Sequence, residues 1–245
     1  NMKEFVAICG DTDSVAVLDA ESESSVLVFD EDNGVYIQNL VLTGGSAPEG
    51  GGVFCKNSDP FFERVTIHGN TAEMGGGIYS IDNSTPYVLN STITENNVTN
   101  GGAIYCQNDN LTVVNSILWN NFPQEIYVAN ASDSSMIRIA YSDIQGGWEG
   151  ERNRDVDPLF ADATFHLADN SPCIGTGPKS KEIGGITYTC PSMDCEYNKR
   201  PDPDGSDPDM GALESPLAIG YAVSRIDVMP TTFSLAQNYP NPFNP

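Results

Sequence analysis

The densest cluster of side chains that could bind a metal ion is the acidic run from residue 202 to 209. Calcium takes oxygen ligands from carboxylates and carbonyls, so this run predicts a candidate calcium site. Its ligands would be Asp202, Asp204, Asp207 and Asp209. The spacing differs from that of an EF-hand loop, and the prolines restrict the turn. A solvated acidic turn is the simpler interpretation of the same residues.

Cleavage of a polysaccharide would need a base beside a cation, or two facing carboxylates. Between residues 36 and 148 the only lysines and arginines are Lys56, Arg64 and Arg138, and Arg64 and Arg138 are not at equivalent positions in the repeat described below. That repeat places one strand carboxylate, Asp143, on an outer face, with no evident partner. The sequence therefore favours binding over catalysis.

Cysteine spacing argues against a zinc site, because no Cys-x-x-Cys occurs and the only histidines are His68 and His166. The six cysteines stand at positions 9, 55, 106, 173, 190 and 195. We predict a disulfide between Cys190 and Cys195, which are close in sequence. Cys55 and Cys106 share one position of the repeat two coils apart, roughly 9.6 Å. That distance exceeds the reach of a disulfide, so we predict two buried free thiols.

Charge and hydropathy exclude two classes of partner. The formal net charge is −23, which opposes nucleic acid and also polyanionic polysaccharides unless cations bridge them. No apolar run approaches the length needed to span a membrane.

An internal repeat of 25 to 26 residues organises the first 147 residues. Leu42, Ile67, Ile93, Leu118 and Ile144 follow one another at steps of 25, 26, 25 and 26. A second apolar series repeats the same steps at positions 37, 62, 88, 113 and 139. Alternation within each segment predicts strands, and the long period predicts coils that stack about 4.8 Å apart. One coil cannot bury its own apolar face, whereas a stack of coils forms a continuous core.

Two further columns follow from this register. Gly45, Asn70, Asn96, Asn121 and Gly147 share one turn position. We predict a left-handed backbone there and asparagine side chains that bond from coil to coil.

Four aromatic residues form the second column, each directly after an inward apolar residue. They are Phe54, Tyr79, Tyr105 and Tyr127. We predict that they point outward as a strip on which sugar rings could pack. Stacking of the four rings on one another is the alternative.

At this point the chain resembles right-handed parallel β-helix repeat proteins with the pectate-lyase-like fold. The resemblance implies an all-β solenoid of about five to seven coils over residues 1–147. The pieces Asp155-Val-Asp-Pro-Leu-Phe-Ala-Asp162 and Asp209-Met-Gly-Ala-Leu-Glu214 resemble the C-terminal capping region of bacterial surface β-helix proteins. We therefore expect an irregular cap at 148–215 that covers the last coil.

Residues 216–245 are predicted to be a linker followed by the start of another domain. The segment from Phe233 to Pro245 resembles the opening of a type IX (Por) secretion C-terminal sorting domain. The resemblance implies export to the cell surface or outside the cell by that secretion machinery.

We thus expect an exported binding, adhesion or scaffold module whose partner is a polysaccharide or cell-surface glycan, with calcium as its candidate cofactor. A polysaccharide lyase or glycoside hydrolase is one alternative, because the fold alone does not give the function. A subunit that self-associates through its coil ends is the other.

Overall fold

A computed structural model describes residues 6–10, 15–107, 109–129, 136–183 and 185–217. In these residues the chain winds as a parallel β-solenoid of about five turns, which confirms the predicted fold class. Each coil passes through a five-stranded sheet, turns into a large sheet that bends at a corner, and returns through a short sheet or loop.

The strands of the solenoid fall into three sheets. The five-stranded sheet contains β3 (Leu27–Asp30), β6 (Val53–Lys56), β9 (Ile78–Ile81), β13 (Ile104–Gln107) and β16 (Ile126–Ala129). The three-stranded sheet contains β5 (Ser46–Glu49), β8 (Thr71–Met74) and β12 (Asn97–Asn100). The large sheet contains β1 (Val6–Cys9), β2 (Ala16–Asp19), β4 (Asn33–Thr43), β7 (Asp59–His68), β10 (Tyr87–Leu89), β11 (Thr92–Thr94), β14 (Leu111–Val114), β15 (Ile117–Trp119), β17 (Ile137–Ala140) and β18 (Asp143–Ile144).

The two predicted apolar columns form the interior of the solenoid. Ile93 pairs in parallel register with Ile67 on one side and Leu118 on the other, and all three are fully buried. The columns also extend into the opening coil, where Ile8 lies beside Ile37 and Leu18 beside Leu42. Apolar side chains stack on one another in register, so the burial of those in one coil depends on the coils on both sides.

The bend of the large sheet falls at one left-handed residue in every coil. Positive φ angles of 45° to 58° occur at Asn39, Arg64, Asn90, Asn115 and Tyr141. Asparagine tolerates this conformation better than most residues, which explains its recurrence at the corner.

The predicted asparagine ladder is present, although its backbone conformation differs from the prediction. The side chain of Asn96 accepts a hydrogen bond from the backbone N–H of Asn70 at 3.0 Å, and Asn121 accepts from Asn96 at 3.1 Å. The left-handed residue lies one position before each asparagine, at Gly69, Glu95 and Asn120, whereas Gly147 at the predicted position is itself left-handed. The asparagine can therefore turn its amide along the solenoid axis without itself being strained.

Two ladders of serine residues also link successive coils, and each of them ends in a longer side chain. The first runs through the hydroxyls of Ser91, Ser116 and Ser142, each accepting from the backbone N–H of the preceding coil, and ends where Asn153 accepts from Ser142. The second runs through Ser58 and Ser84 and ends where Asp109 accepts from the N–H of Ser84 at 3.0 Å. Each ladder is therefore closed by a terminal acceptor.

The first part of the C-terminal region lies over the last coil. The N–H of Ile144 donates to the carbonyl of Arg154 at 2.9 Å, and the N–H of Arg154 donates to Ser142. Trp148 packs against the edge of the core. These contacts satisfy backbone groups of the large sheet that would otherwise face solvent.

The rest of the region does more than cap the last coil, because it runs back along the side of the solenoid. We call residues 159–215 the strap. Its Gly211 N–H donates to the carbonyl of Asn115, the hydroxyl of Tyr188 donates to Asn90, and the hydroxyl of Tyr197 reaches Gly10 in the first coil. The strap includes one antiparallel hairpin of β19 (Ser180–Ile183) and β20 (Ile186–Thr189).

A buried ion pair holds the strap together. The guanidinium of Arg200 donates to the carboxylate of Glu214 at 2.7 Å, and both side chains are essentially inaccessible to solvent. The same guanidinium donates to the carbonyls of Gly211 and Leu213.

Within the described part of the chain no helix is long and apolar enough to cross a membrane.

Candidate functional site

A polar pocket opens where one coil is shorter than the others. Three successive coils contribute β5, β8 and β12 to the short sheet, whereas the next coil makes only a single bridge there, between Phe122 and Asn97. Because this coil returns directly to β16, the space beside the last turn remains open. We call this space the Phe122 pocket.

The Phe122 pocket has a volume of about 470 Å³. Its lining residues are Asn120, Asn121, Phe122, Pro123, Gln124, Glu125, Gln145 and Gly146. The Phe122 side chain is 66% exposed, so its ring is available to a ligand. The backbone N–H of Asn120 donates to the side-chain oxygen of Gln145 at 2.8 Å, which joins the two rims of the pocket.

Glu125 is the one carboxylate in this lining, and it ends the asparagine ladder. One of its carboxylate oxygens accepts a hydrogen bond from the backbone N–H of Asn121 at 3.1 Å, and the other accepts from the side-chain amide of Asn121. The residue is only 4% exposed. Burial raises the pKa of Glu125 to about 7, and the two bonds from Asn121 oppose this rise only in part.

This combination of groups can bind a small polar ligand with an apolar face. The exposed amides of Asn120, Gln124 and Gln145 and the carboxylate of Glu125 supply donors and acceptors, and the exposed ring of Phe122 supplies a surface for C–H groups. The volume lies within the usual range for ligand pockets.

The predicted aromatic row points outward, but its rings stack on one another. Ring centroids are 5.7 Å apart for Phe54 and Tyr79, 5.0 Å for Tyr79 and Tyr105, and 5.2 Å for Tyr105 and Tyr127. Tyr79 and Tyr105 are buried, at 4% and 7% exposure. The ring faces cover each other, so the four residues do not form the flat exposed strip that we predicted. Tyr127 ends the row and is 37% exposed.

A second aromatic stack, not predicted from the sequence, lies on the large sheet. Phe61 stacks between Tyr36 and Tyr87, with ring centroids 4.8 Å and 4.2 Å apart. The hairpin of the strap faces this stack across a groove of about 250 Å³, which Tyr188 and Thr189 line from the opposite side. The groove shows that the strap does not pack flush against the solenoid.

An apolar cavity of about 230 Å³ lies between the strap and the first coils. Its apolar lining includes Val17, Val41, Phe165 and Leu213. Beside it, the ring nitrogens of His166 lie 2.9 Å from Asp162 and 3.1 Å from Glu196, and these hydrogen bonds raise the pKa of the imidazole despite partial burial.

The acidic turn does not assemble into the predicted calcium site. Its carboxylates are committed separately: Asp204 pairs with Lys199, and Asp207 with Lys179 at 3.6 Å. Asp209 is fully buried and accepts hydrogen bonds from backbone N–H groups of the strap. Asp202 contributes its backbone N–H to Glu214. Among the described residues, no group of three or more His, Cys, Asp or Glu side chains is arranged to hold a metal ion.

The residues considered for catalysis are also far from forming one site. Asp143 is fully buried under the strap, where it accepts hydrogen bonds from the thiol of Cys173 and the N–H of Val156, both at 3.1 Å. Burial raises the pKa of Asp143. Arg64 lies at the corner beside Glu63, at 3.4 Å, and does not contact Asp143. Asp143 therefore lies on the outer face of the solenoid, but the C-terminal region covers it and removes it from solvent.

The predicted disulfide is wrong, because Cys190 and Cys195 are free thiols in the structure. The thiol of Cys190 lies at the end of β20 against Pro191, while Cys195 packs against Ala212 and Leu213. The two side chains therefore belong to different packing environments of the strap. The other prediction is confirmed: Cys55 and Cys106 are buried and free.

Sequence reasoning missed the Phe122 pocket, although a signal was present. The aromatic row advances by steps of 25, 26 and then 22 residues, so the last coil in this row is short by about three residues. The same coil places Gln124 and Glu125 where earlier coils carry small residues, at Gly102 and Ala103. The shorter step and the acidic residue at a position of small residues together indicate that this coil does not stack like the others.

The family model described as "Right handed beta helix region" matches residues 14–147. This match covers more than half of the 245 residues, and the chain therefore belongs to the right-handed β-helix family. A search of curated proteins gave no match. A search of solved structures gave none either.

Proposed function

We propose that the chain is an exported β-solenoid binding module that takes a carbohydrate in the Phe122 pocket. The observation that carries the proposal is the 66% exposed Phe122 beside the exposed amides of Asn120, Gln124 and Gln145 and a carboxylate. Sugar rings present hydroxyl groups at their edges and C–H groups on their faces, which match amides and an aromatic ring respectively. Export rests on the resemblance of residues 233–245, which lie outside the described residues.

Binding without cleavage fits the residues that line the pocket. Glycoside hydrolysis uses a pair of carboxylates on either side of the scissile bond. Within the described lining of the pocket Glu125 has no such partner. The carboxylate of the buried Asp143 is hydrogen-bonded to Cys173 of the strap and does not line the pocket.

The test is a glycan array followed by calorimetry on the sugars that bind. Phe122→Ala should weaken binding at least about tenfold, because the ring contact is lost while the exposed position adds little to stability. Val28→Ala is the matched control, since Val28 is 60% exposed on β3 at the opposite end of the solenoid. Sugar binding that survives Phe122→Ala, or release of shortened products, would contradict the proposal.

Self-association through the coil ends is a second candidate function. Three valines of the opening coil, Val6, Val17 and Val28, are each more than half exposed, and such residues favour burial against another surface. Sedimentation over a range of concentrations tests it. A Val17→Lys substitution should shift any oligomer toward monomer, whereas Phe122→Ala should not.

A further inference from the structure

Glu125 is a buried carboxylate without a positively charged partner in the described structure. Its hydrogen-bond donors come from one neutral residue, Asn121. It takes part in none of the ion pairs formed by the described residues. A buried charge of this kind is costly unless a counter-charge or several donors compensate it.

Two other buried carboxylates show how the chain compensates such groups elsewhere. Glu214 is paired with the guanidinium of Arg200 at 2.7 Å. Asp109 forms no ion pair within the described residues, but it accepts hydrogen bonds from the hydroxyl of Ser80 at 2.6 Å and from the N–H of Ser84, and it lines none of the pockets described above. Glu125 differs from both because it lacks a cation and also borders an open cavity.

We propose that the carbohydrate bound in the Phe122 pocket carries a free, positively charged amine, as an unacetylated hexosamine does, and that this amine pairs with Glu125. The inference rests on the proposed function and names the ligand class of the same site. An ammonium group brings up to three donors and the missing charge in one substituent. The sugar ring then lies on Phe122, and its hydroxyl groups meet the side chains of Gln124 and Gln145.

The alternatives fit the charges of the pocket less well. An acidic sugar would place a second negative charge beside Glu125, in a lining that contains no lysine or arginine and on a chain of net charge −23. A neutral or acetylated sugar would leave the carboxylate without a counter-charge. Of these ligands, a cationic one offsets the cost of burying the charged form of Glu125.

The experiment compares trimers of glucosamine, N-acetylglucosamine, glucose and galacturonic acid by calorimetry near neutral pH. The sugar units of the first three trimers differ in one substituent, so the order of their affinities tests the role of the amine without any change to the protein. We expect the glucosamine trimer to bind about tenfold or more tightly than the acetylated and neutral trimers, as charge-assisted bonds allow. We expect no binding of the galacturonic acid trimer.

Two variants locate the effect. Glu125→Gln should bring the affinities for the glucosamine and glucose trimers close together while glucose binding persists. Phe122→Ala should weaken binding of all the sugars. Thermal unfolding of Glu125→Gln checks that the asparagine ladder still folds.

The outcomes separate the two proposals. If neutral sugars bind at Phe122 as tightly as the glucosamine trimer, the amine inference is overturned and the proposed function stands. If no sugar binds, the proposed function itself fails. A preference for glucosamine that survives Glu125→Gln in a folded protein would also overturn the assignment to Glu125.

Discussion

The carboxylate of Glu125 accepts the backbone N–H of Asn121 at 3.1 Å and thereby ends the asparagine ladder. Burial raises its pKa from 4.5 to about 7. Because the folded value is the higher one, the stability linked to the protonated group is fully present below about pH 4.5 and is lost as the pH rises through about 7. We therefore expect the free energy of unfolding of the wild type to fall between these values relative to Glu125→Gln, which stays neutral.

Denaturant unfolding at several pH values between about 4.5 and 8 checks this prediction. Glu73→Gln is the control, because it makes the same substitution at an exposed position on β8 and leaves the buried carboxylate in place. Parallel pH profiles for the wild type and Glu125→Gln would show that Glu125 does not carry the effect.

Ile93 tests the register of the core. Replacing this fully buried residue with alanine should reduce the free energy of unfolding by about 2–5 kcal/mol, because a cavity remains between the coils on either side. Denaturant unfolding measures the loss. Val28→Ala should change stability by less than about 0.5 kcal/mol, since the side chain is largely exposed. Equal effects of the two substitutions would be incompatible with the described core.

The ion pair of Arg200 and Glu214 tests whether the strap is part of the folded unit. Arg200→Ala leaves a buried carboxylate without its partner and should cost about 3–5 kcal/mol. Lys56→Ala breaks an exposed pair with Asp30 and should cost at most about 1 kcal/mol. Limited proteolysis adds a local measurement, with cleavage of Arg200→Ala expected first within residues 159–215. Resistance of this segment in the variant would mean that the pair is dispensable.

Thiol accessibility provides a test of the cysteine assignments. Cys9 is exposed and should be alkylated first in the native protein. Cys106 should react only on unfolding, because it is buried and burial raises the pKa of its thiol to about 12. Peptide mapping without reduction should show Cys190 and Cys195 as separate free thiols. A peptide pair linked through these two residues would restore the disulfide that the structure does not contain.

The interior of the solenoid could be predicted because it is periodic. The position of Ile93 follows from steps of 25 and 26 residues to its neighbours, and stacking in register leaves one solution for its direction. The asparagine ladder follows from the same count. Only its left-handed residue was misplaced, by one position, because both Asn120 and Asn121 tolerate turns.

The strap and the pocket could not be predicted in the same way. Residues 159–215 have no period, and their path depends on single contacts between distant residues, such as Gly211 with Asn115 and Tyr197 with Gly10. The aromatic row was placed on the correct face, but the alternation of strands does not reveal how Tyr79 and Tyr105 orient their rings. A ring that stacks on its neighbours gains burial at the expense of an open face.

The three ladders differ in kind between their inner residues, which repeat from coil to coil, and the terminal acceptors that close them. An inner rung, such as Asn96, both donates to and accepts from adjoining coils, so one more copy of its coil would find the same neighbours above and below. Asp109, Glu125 and Asn153 occur once and only close a series. Duplication of an interior coil would therefore extend a ladder by one strand spacing without altering the residue that closes it. The strap, whose contacts run from Asn115 to Gly10, would have to lengthen by the same amount, so the strap rather than the ladders limits the number of coils.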